Sequence, residues 1–184
     1  MNDLIVKILS NNTLKVIGLL SKREGHLREI AAVLRISPSA THTALKKLLK
    51  INFVKAARKG NRKVFSLNQA ALLLRKVKSL VNLDSILSLK AYAELGRMGS
   101  VGIYGSFAEG TNDEHSDLDL WVYGEGLDPA KVSGISSLFE KALKVETGIL
   151  ILNKNKLANL KNKDPEFYSR LKFTSVFTGG ELFE

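Results

Sequence analysis

The sequence contains no cysteine, which excludes disulfides, zinc–thiolate sites, iron–sulfur clusters and thiol chemistry. Three histidines are all it offers as imidazole ligands. No uncharged apolar run approaches the roughly 18 residues a membrane span needs. The N-terminus has no small-residue cleavage site, and Lys7 and Lys15 interrupt its apolar stretch, so no signal peptide is read and a cytoplasmic location is expected. Internal repeats and low-complexity tracts are also missing. What is there is a chain of 184 residues, 45% hydrophobic and 25% charged, with enough apolar content for a core and room for one ordinary domain or two small ones.

The charge is +10 overall and unevenly placed. Residues 1–80 hold 17 Lys/Arg against three acids (Asp3, Glu24, Glu29), whereas residues 81–184 hold 11 against 15. A basic half joined to a mildly acidic half implies two domains with different partners, the first drawn to a polyanion. A solvated Lys-rich surface is the alternative that charge alone leaves open.

Apolar residues at helical spacing run from Leu4 to Leu20 (Leu4, Ile5, Ile8, Leu9, then Val16, Ile17, Leu20), with a break expected at Asn11-Asn12-Thr13, where Asn12 or Thr13 caps the second piece. His26 to Leu34 reads as a second helix. Ser37-Pro38 starts a third, Ser suiting the N-cap and Pro the first helical position. Its buried side is Thr41, Ala44, Leu45, Leu48 and Leu49; its other side shows Ser39, His42, Thr43, Lys46 and Lys47. Residues 53–57 and 63–67 then read as two strands around a Gly60-Asn61 turn flanked by Arg58, Lys59, Arg62 and Lys63. Helix, helix, Ser-Pro-capped helix and basic hairpin follow the order of a winged helix-turn-helix. The stretch Leu34 to Leu67 resembles MarR- and ArsR-type winged-helix regulators, whose third helix enters the major groove and whose wing lies along the backbone. The resemblance implies duplex DNA as partner. Ser39, His42 and Thr43 are short enough to approach base edges, and Lys46, Lys47 and the four wing cations can reach phosphates. A winged helix used only for protein contacts is the competing reading.

Residues 69–95 read as a helical connector with a break at Asn82-Leu83-Asp84. Its surplus leucines either pack on their own chain or pair two chains, which makes a homodimer through residues 1–20 and 69–95 an expectation.

The densest chemistry follows. Residues 99–104 read as a buried strand running into Gly105-Ser106-Phe107-Ala108-Glu109-Gly110, then five polar residues, then Ser116-Asp117-Leu118-Asp119-Leu120-Trp121-Val122-Tyr123. Alternation along a strand puts Asp117 and Asp119 on one face and Leu118, Leu120 and Val122 toward a core. Paired carboxylates make a hard oxygen site suited to Mg²⁺ or Mn²⁺. Two such ions about 4 Å apart can stabilise the attacking and leaving oxygens of phosphoryl transfer. Gly105 admits a close backbone approach, and Ser106 offers a hydroxyl and N–H groups to phosphates. Asn112 to Asp119 lacks the Gly and Glu of an EF-hand loop, so calcium is rejected and His115 reads as a surface residue.

The pattern G-S-x-x-x-G-x-x-x-x-x-S-D-L-D resembles the signature of the DNA polymerase β-like nucleotidyltransferase superfamily, and among its members the minimal nucleotidyltransferases. The resemblance covers roughly residues 83–184. It implies a nucleoside triphosphate (NTP) seated by Gly105 and Ser106, metals held by Asp117 and Asp119, and a third carboxylate on a later strand. Glu146, in Val145 to Leu152, matches that third position best. It departs from the family's more usual Asp, and an exposed charge at a strand entrance is its alternative reading. The basic tail (Lys154, Lys156, Lys161, Lys163, Arg170 and Lys172) reads mostly as a solvated helix face, some of whose cations could neutralise triphosphate charge, with a last strand at Phe173–Phe177.

The expected fold is therefore a two-domain α/β (α+β) chain. A winged helix-turn-helix occupies residues 1–68, a helical connector 69–95, and a nucleotidyltransferase domain with a mixed sheet and flanking helices 96–184. The expected activity is Mg²⁺-dependent transfer of a nucleoside monophosphate from an NTP to an unknown hydroxyl acceptor, in a DNA-binding, regulatory protein without membrane partners. Two alternatives stand: a transcription regulator whose second domain only binds and senses nucleotide, and an RNA-directed enzyme whose winged helix docks substrate.

Overall fold

The structure, a computed structural model, describes residues 10–178. They divide between Val81 and Asn82 into two compact units.

In the first unit, helices α1 (Asn11–Leu20), α2 (Leu27–Leu34) and α3 (Pro38–Lys50) pack with a three-stranded antiparallel sheet. The sheet is formed by β1 (Gly25–His26), β2 (Val54–Lys59) and β3 (Arg62–Leu67), in the order β1-β3-β2. Local chemistry fixes each start. Ser37 Oγ accepts the Ala40 N–H (3.1 Å) ahead of Pro38, and His26 Nδ1 accepts the Glu29 N–H (3.2 Å). Helix α1 begins at Asn11 rather than after it, with Ser10 as N-cap. Thr13 is not a cap: it is buried one turn in, and its hydroxyl donates to Ser10 O (2.7 Å). Leu4, Ile5, Ile8 and Leu9 lie outside the described residues. Val16, Ile17, Ile30, Leu45, Leu48, Phe53, Phe65 and Leu74 form one buried cluster.

Helix α4 (Leu72–Leu87) runs unbroken through the expected break at Asn82. The reason is non-local. Asn82 Nδ2 donates to Phe107 O (2.9 Å) and Asn112 Oδ1 (2.8 Å), so its amide does not compete for its own helix backbone. The interruption falls instead at Ser88-Leu89, before α5 (Lys90–Gly96). The segment expected as a connector therefore supplies core to both units: Leu74 and Val77 to the first, Leu83, Ile86, Ala91, Tyr92 and Leu95 to the second. Leu72, Leu73, Leu80 and Leu87 are exposed.

The second unit is built on a mixed sheet in the order β6-β5-β4-β7, from β4 (Ser100–Tyr104), β5 (Leu118–Tyr123), β6 (Thr147–Leu152) and β7 (Val176–Thr178). Strand β5 is antiparallel to β4 and parallel to β6. The parallel pair is bridged by α7 (Pro129–Leu143), capped by Asp128, whose Oδ1 accepts the Ala130 N–H (2.9 Å). One sheet face carries Val101, Ile103, Leu118, Leu120 and Val122 into a core with α5 and α7. The opposite face carries Trp121 and Leu152 into a second core with α8 (Lys154–Lys163) and α9 (Pro165–Thr174). The tail's cations lie on a solvated face, as expected from the sequence, while Tyr168 and Leu171 of α9 are buried. Phe173 belongs to α9, not to the last strand, which starts at Val176.

Asn82→Ala should lower stability by about 1–3 kcal/mol, the range for stranding buried polar partners. Urea unfolding of wild type and variant checks this; equal midpoints and slopes would contradict it.

Candidate functional site

The two halves of the chemical motif meet at one point of the second unit. Strand β4 ends at Tyr104, which pairs with Asp119 on β5. The next residue, Gly105, opens the short helix α6 (Gly105–Glu109) with φ +66°. A Cβ on Gly105 would collide with Asp119 Oδ2. Glycine is thus required twice, for the left-handed backbone and for contact with the carboxylate. After α6, Ser106 O accepts the N–H groups of Thr111 (2.9 Å) and Asn112 (3.2 Å), tying down the polar loop that leads to the aspartates. Asp113 Oδ1 closes that loop by accepting from Ser116 Oγ (2.9 Å) and the His115 N–H (3.0 Å), bonds that hold its carboxyl below the usual range.

Asp117 is exposed and immediately precedes β5, because the ladder starts at Leu118. Asp119 is half-buried within the strand. Burial raises the Asp119 pKa, the Asp117 charge raises it further, and the Arg170 guanidinium opposes both. Tyr104 beside it is raised by burial and by Asp119, again opposed by Arg170. A half-buried carboxylate beside a second carboxylate, as Asp119 is beside Asp117, gains from a bound cation. Their oxygen donors therefore fit the Mg²⁺ or Mn²⁺ that the resemblance implies.

Glu146 is exposed and precedes β6 as Asp117 precedes β5; its carbonyl accepts the Leu118 N–H (2.8 Å). The strand start is clamped by α7, where Ser136 Oγ donates to Thr147 O (2.6 Å) and Glu140 Oε1 accepts the Thr147 N–H (3.3 Å). Gly148, not a carboxylate, pairs with Asp119 across the ladder. Among the described residues no group of three or more His, Cys, Asp or Glu side chains is arranged to hold a metal ion. Ser106 is half-buried, and its hydroxyl has no protein hydrogen-bond partner among the described residues.

In the first unit, Ser39, His42, Thr43, Lys46 and Lys47 form the exposed side of α3, opposite Thr41, Ala44, Leu45 and Leu48. The wing is a two-residue hairpin with Gly60 at φ +60°. Its register sets Arg58 opposite Lys63 and Lys59 opposite Arg62. Like charges directly opposed destabilise a hairpin. Glu24 relieves one of them through an ion pair with Lys59. A groove of about 500 Å³ is lined by His26, Leu27, Arg28, His42, Arg62, Lys63 and Phe65, so one surface joins the α2 start, α3 and the wing.

Sequence reasoning missed several of these residues. Asn82 and Asn112 anchor the motif loop, and Glu24 and Arg28 border the basic surface. None carries a local signature, because each acts on a residue distant in sequence.

Residues 89–172 match the family model described as Polymerase beta, Nucleotidyltransferase. The second unit therefore carries a nucleotidyltransferase-family domain, and the helices and wing before it form a winged helix-turn-helix. A search of curated proteins returns no match. Among solved structures, the chain is similar to the adhesin competence repressor AdcR from Streptococcus pyogenes, at 22% identity over 52% of this chain and 75% of that one, with a TM-score of 0.42. It is also similar to a homodimeric winged helix-turn-helix domain of a possible ArsR-family regulator from Mycobacterium bovis, at 20% identity over 47% and 79% of the two chains, with a TM-score of 0.39. The DNA complex of ZitR from Lactococcus lactis shares 27% identity over 48% of this chain and 61% of that one, with a TM-score of 0.39. At such TM-scores these likenesses accompany the winged-helix assignment, which rests on the chain's own elements and their order.

Gly105→Ala should lower stability by about 1–2 kcal/mol from the left-handed backbone alone and displace the Asp119 carboxylate as well. Thermal unfolding together with the chemical shift of the Asp119 carboxyl checks both effects. An unmoved carboxyl resonance would contradict the close contact.

Proposed function

We propose that the chain binds duplex DNA through its first unit and transfers a nucleoside monophosphate from an NTP to a hydroxyl acceptor at its second. The observation that carries this reading is the contact of Gly105 with Asp119. It sets the Gly-Ser turn directly against Asp119, one member of a carboxylate pair. In this reading Gly105 lets the triphosphate approach the backbone, and Ser106 donates its hydroxyl and N–H to phosphate oxygens. Asp117 and Asp119 hold Mg²⁺ or Mn²⁺, and Glu146 assists from the neighbouring strand entrance. The bound metal supplies the positive charge that neutralises the triphosphate and activates the hydroxyl. The acceptor oxygen forms a bond to the α-phosphorus, the bond from that phosphorus to the bridging oxygen breaks, pyrophosphate leaves with the electron pair, and the hydroxyl proton passes to water.

A second reading is favoured by one observation, that Glu146 is an exposed charge at a strand entrance. In it the domain binds nucleotide without turnover and adjusts DNA affinity. That coupling must be reciprocal, DNA shifting nucleotide affinity by the same factor.

DNA binding is supported by the exposed polar side of α3 and by the opposed cations of the wing, an arrangement that weakens the hairpin yet suits a polyanion. Homodimerisation through residues 1–20 and 69–95 belongs to the same reading, supported by the exposed leucines of α4.

Incubation of the full chain with Mg²⁺ and α-phosphate-labelled NTPs in cell extract should label an acceptor, and Asp119→Asn should abolish the label. Nucleotide binding without labelling, coupled to a change in DNA affinity, would favour the sensor instead.

For DNA, neutralising Arg58, Lys59, Arg62 and Lys63 should flatten the log–log salt dependence of duplex binding. The expected change is about 3, at roughly 0.9 per phosphate contact and with Lys59 already partnered by Glu24. An unchanged slope would contradict a role for the wing.

A further inference from the structure

Helix α9 is held on the Asp119 side of the sheet by Tyr168 and Leu171, which are buried with Trp121 and Leu152. This packing fixes the neighbouring stripe of the helix, where Phe167 and Arg170 lie three residues apart. The Phe167 ring meets the edge of Tyr104 at 6.0 Å between centroids and 72° between planes. The Arg170 guanidinium rests over Phe167 at 5.1 Å from its centroid. Tyr104 is both the residue before Gly105 and the cross-strand partner of Asp119. The aromatic pair therefore carries the guanidinium toward the place where the Gly-Ser turn and the carboxylate pair meet.

Arg170 is exposed, and among the described residues it forms no ion pair with any carboxylate. A guanidinium stacked on an aromatic ring stays planar and keeps its edge donors free. Those donors match two phosphate oxygens at once, which a lysine ammonium cannot do. A metal held by two aspartates still leaves a triphosphate with surplus negative charge, and a cation beside that site is positioned to take it.

We propose that Arg170, supported by Phe167 and Tyr104, is a phosphate-binding residue of the second unit and takes the terminal phosphates of a nucleoside triphosphate. This rests on the reading of the Gly105–Asp119 region as the nucleotide site and adds to it a residue outside the motif. It also gives that site a means of selecting triphosphates over monophosphates.

The test is Mg²⁺-dependent binding of ATP, GTP, CTP and UTP, and of the corresponding monophosphates, to the full-length wild type and to Arg170→Met, Arg170→Lys and Asp119→Ala. The Met variant keeps the stem over Phe167 and the Lys variant keeps the charge. Arg170→Met should weaken triphosphate binding about 10- to 100-fold, the range for charged hydrogen bonds, and leave monophosphate binding unchanged. Arg170→Lys should fall between Met and wild type. Equal losses for tri- and monophosphates would overturn the proposal by showing a general disturbance of the site. Wild-type triphosphate affinity in Arg170→Met, alongside lost binding in Asp119→Ala, would overturn it while sparing the nucleotide site. No Mg²⁺-dependent binding to wild type would overturn both.

Discussion

The contact between the Gly105 backbone and the Asp119 carboxylate is the constraint on which the second unit depends. It admits no side chain at residue 105 and requires a left-handed φ there. The pairing of Tyr104 with Asp119 aligns the two strands that deliver these residues. Ser106 O then gathers the loop, and Asn82 holds the middle of α6 through Phe107 O. Each element fixes the turn against the carboxylate pair; on the proposed reading, that is where a polyphosphate meets backbone N–H groups and carboxylate-bound cations.

The two units share a physical logic. Each concentrates charge of one sign in a geometry that the isolated protein disfavours. In the second, burial and Asp117 raise the pKa of Asp119. In the first, two cation pairs face each other across a two-residue hairpin. Such arrangements reduce stability, and a partner of opposite charge reverses the penalty. On the proposed reading the partners are a metal–nucleotide complex for one unit and a nucleic acid backbone for the other.

Features governed by neighbouring residues were legible in the sequence. The Ser37-Pro38 start of α3, the Gly60-Asn61 hairpin, the alternation of Asp119 with Leu118 and Leu120, and the Gly105-Ser106 turn all follow from local rules. Features set by distant partners were not. Asn82 reads as a helix breaker until its amide finds Phe107 and Asn112. The two-residue strand β1 exists only because β3 lies beside it. The solvated cations of α8 and α9 were legible, whereas the burial of Tyr168 and Leu171 against Trp121 was not, because it depends on a distant strand.

The central claim is that the Asp117–Asp119 pair holds a divalent cation against the Gly105-Ser106 turn. Paramagnetic broadening by Mn²⁺, titrated into the isotopically labelled full chain with and without NTP, tests it most directly. The account predicts that the amide signals of Gly105, Ser106, Asp119 and Gly148 broaden first, at lower Mn²⁺ concentration when NTP is present. Broadening that begins instead at the acidic loop around Asp113 and Glu114, with Gly105 and Asp119 unaffected, would contradict it.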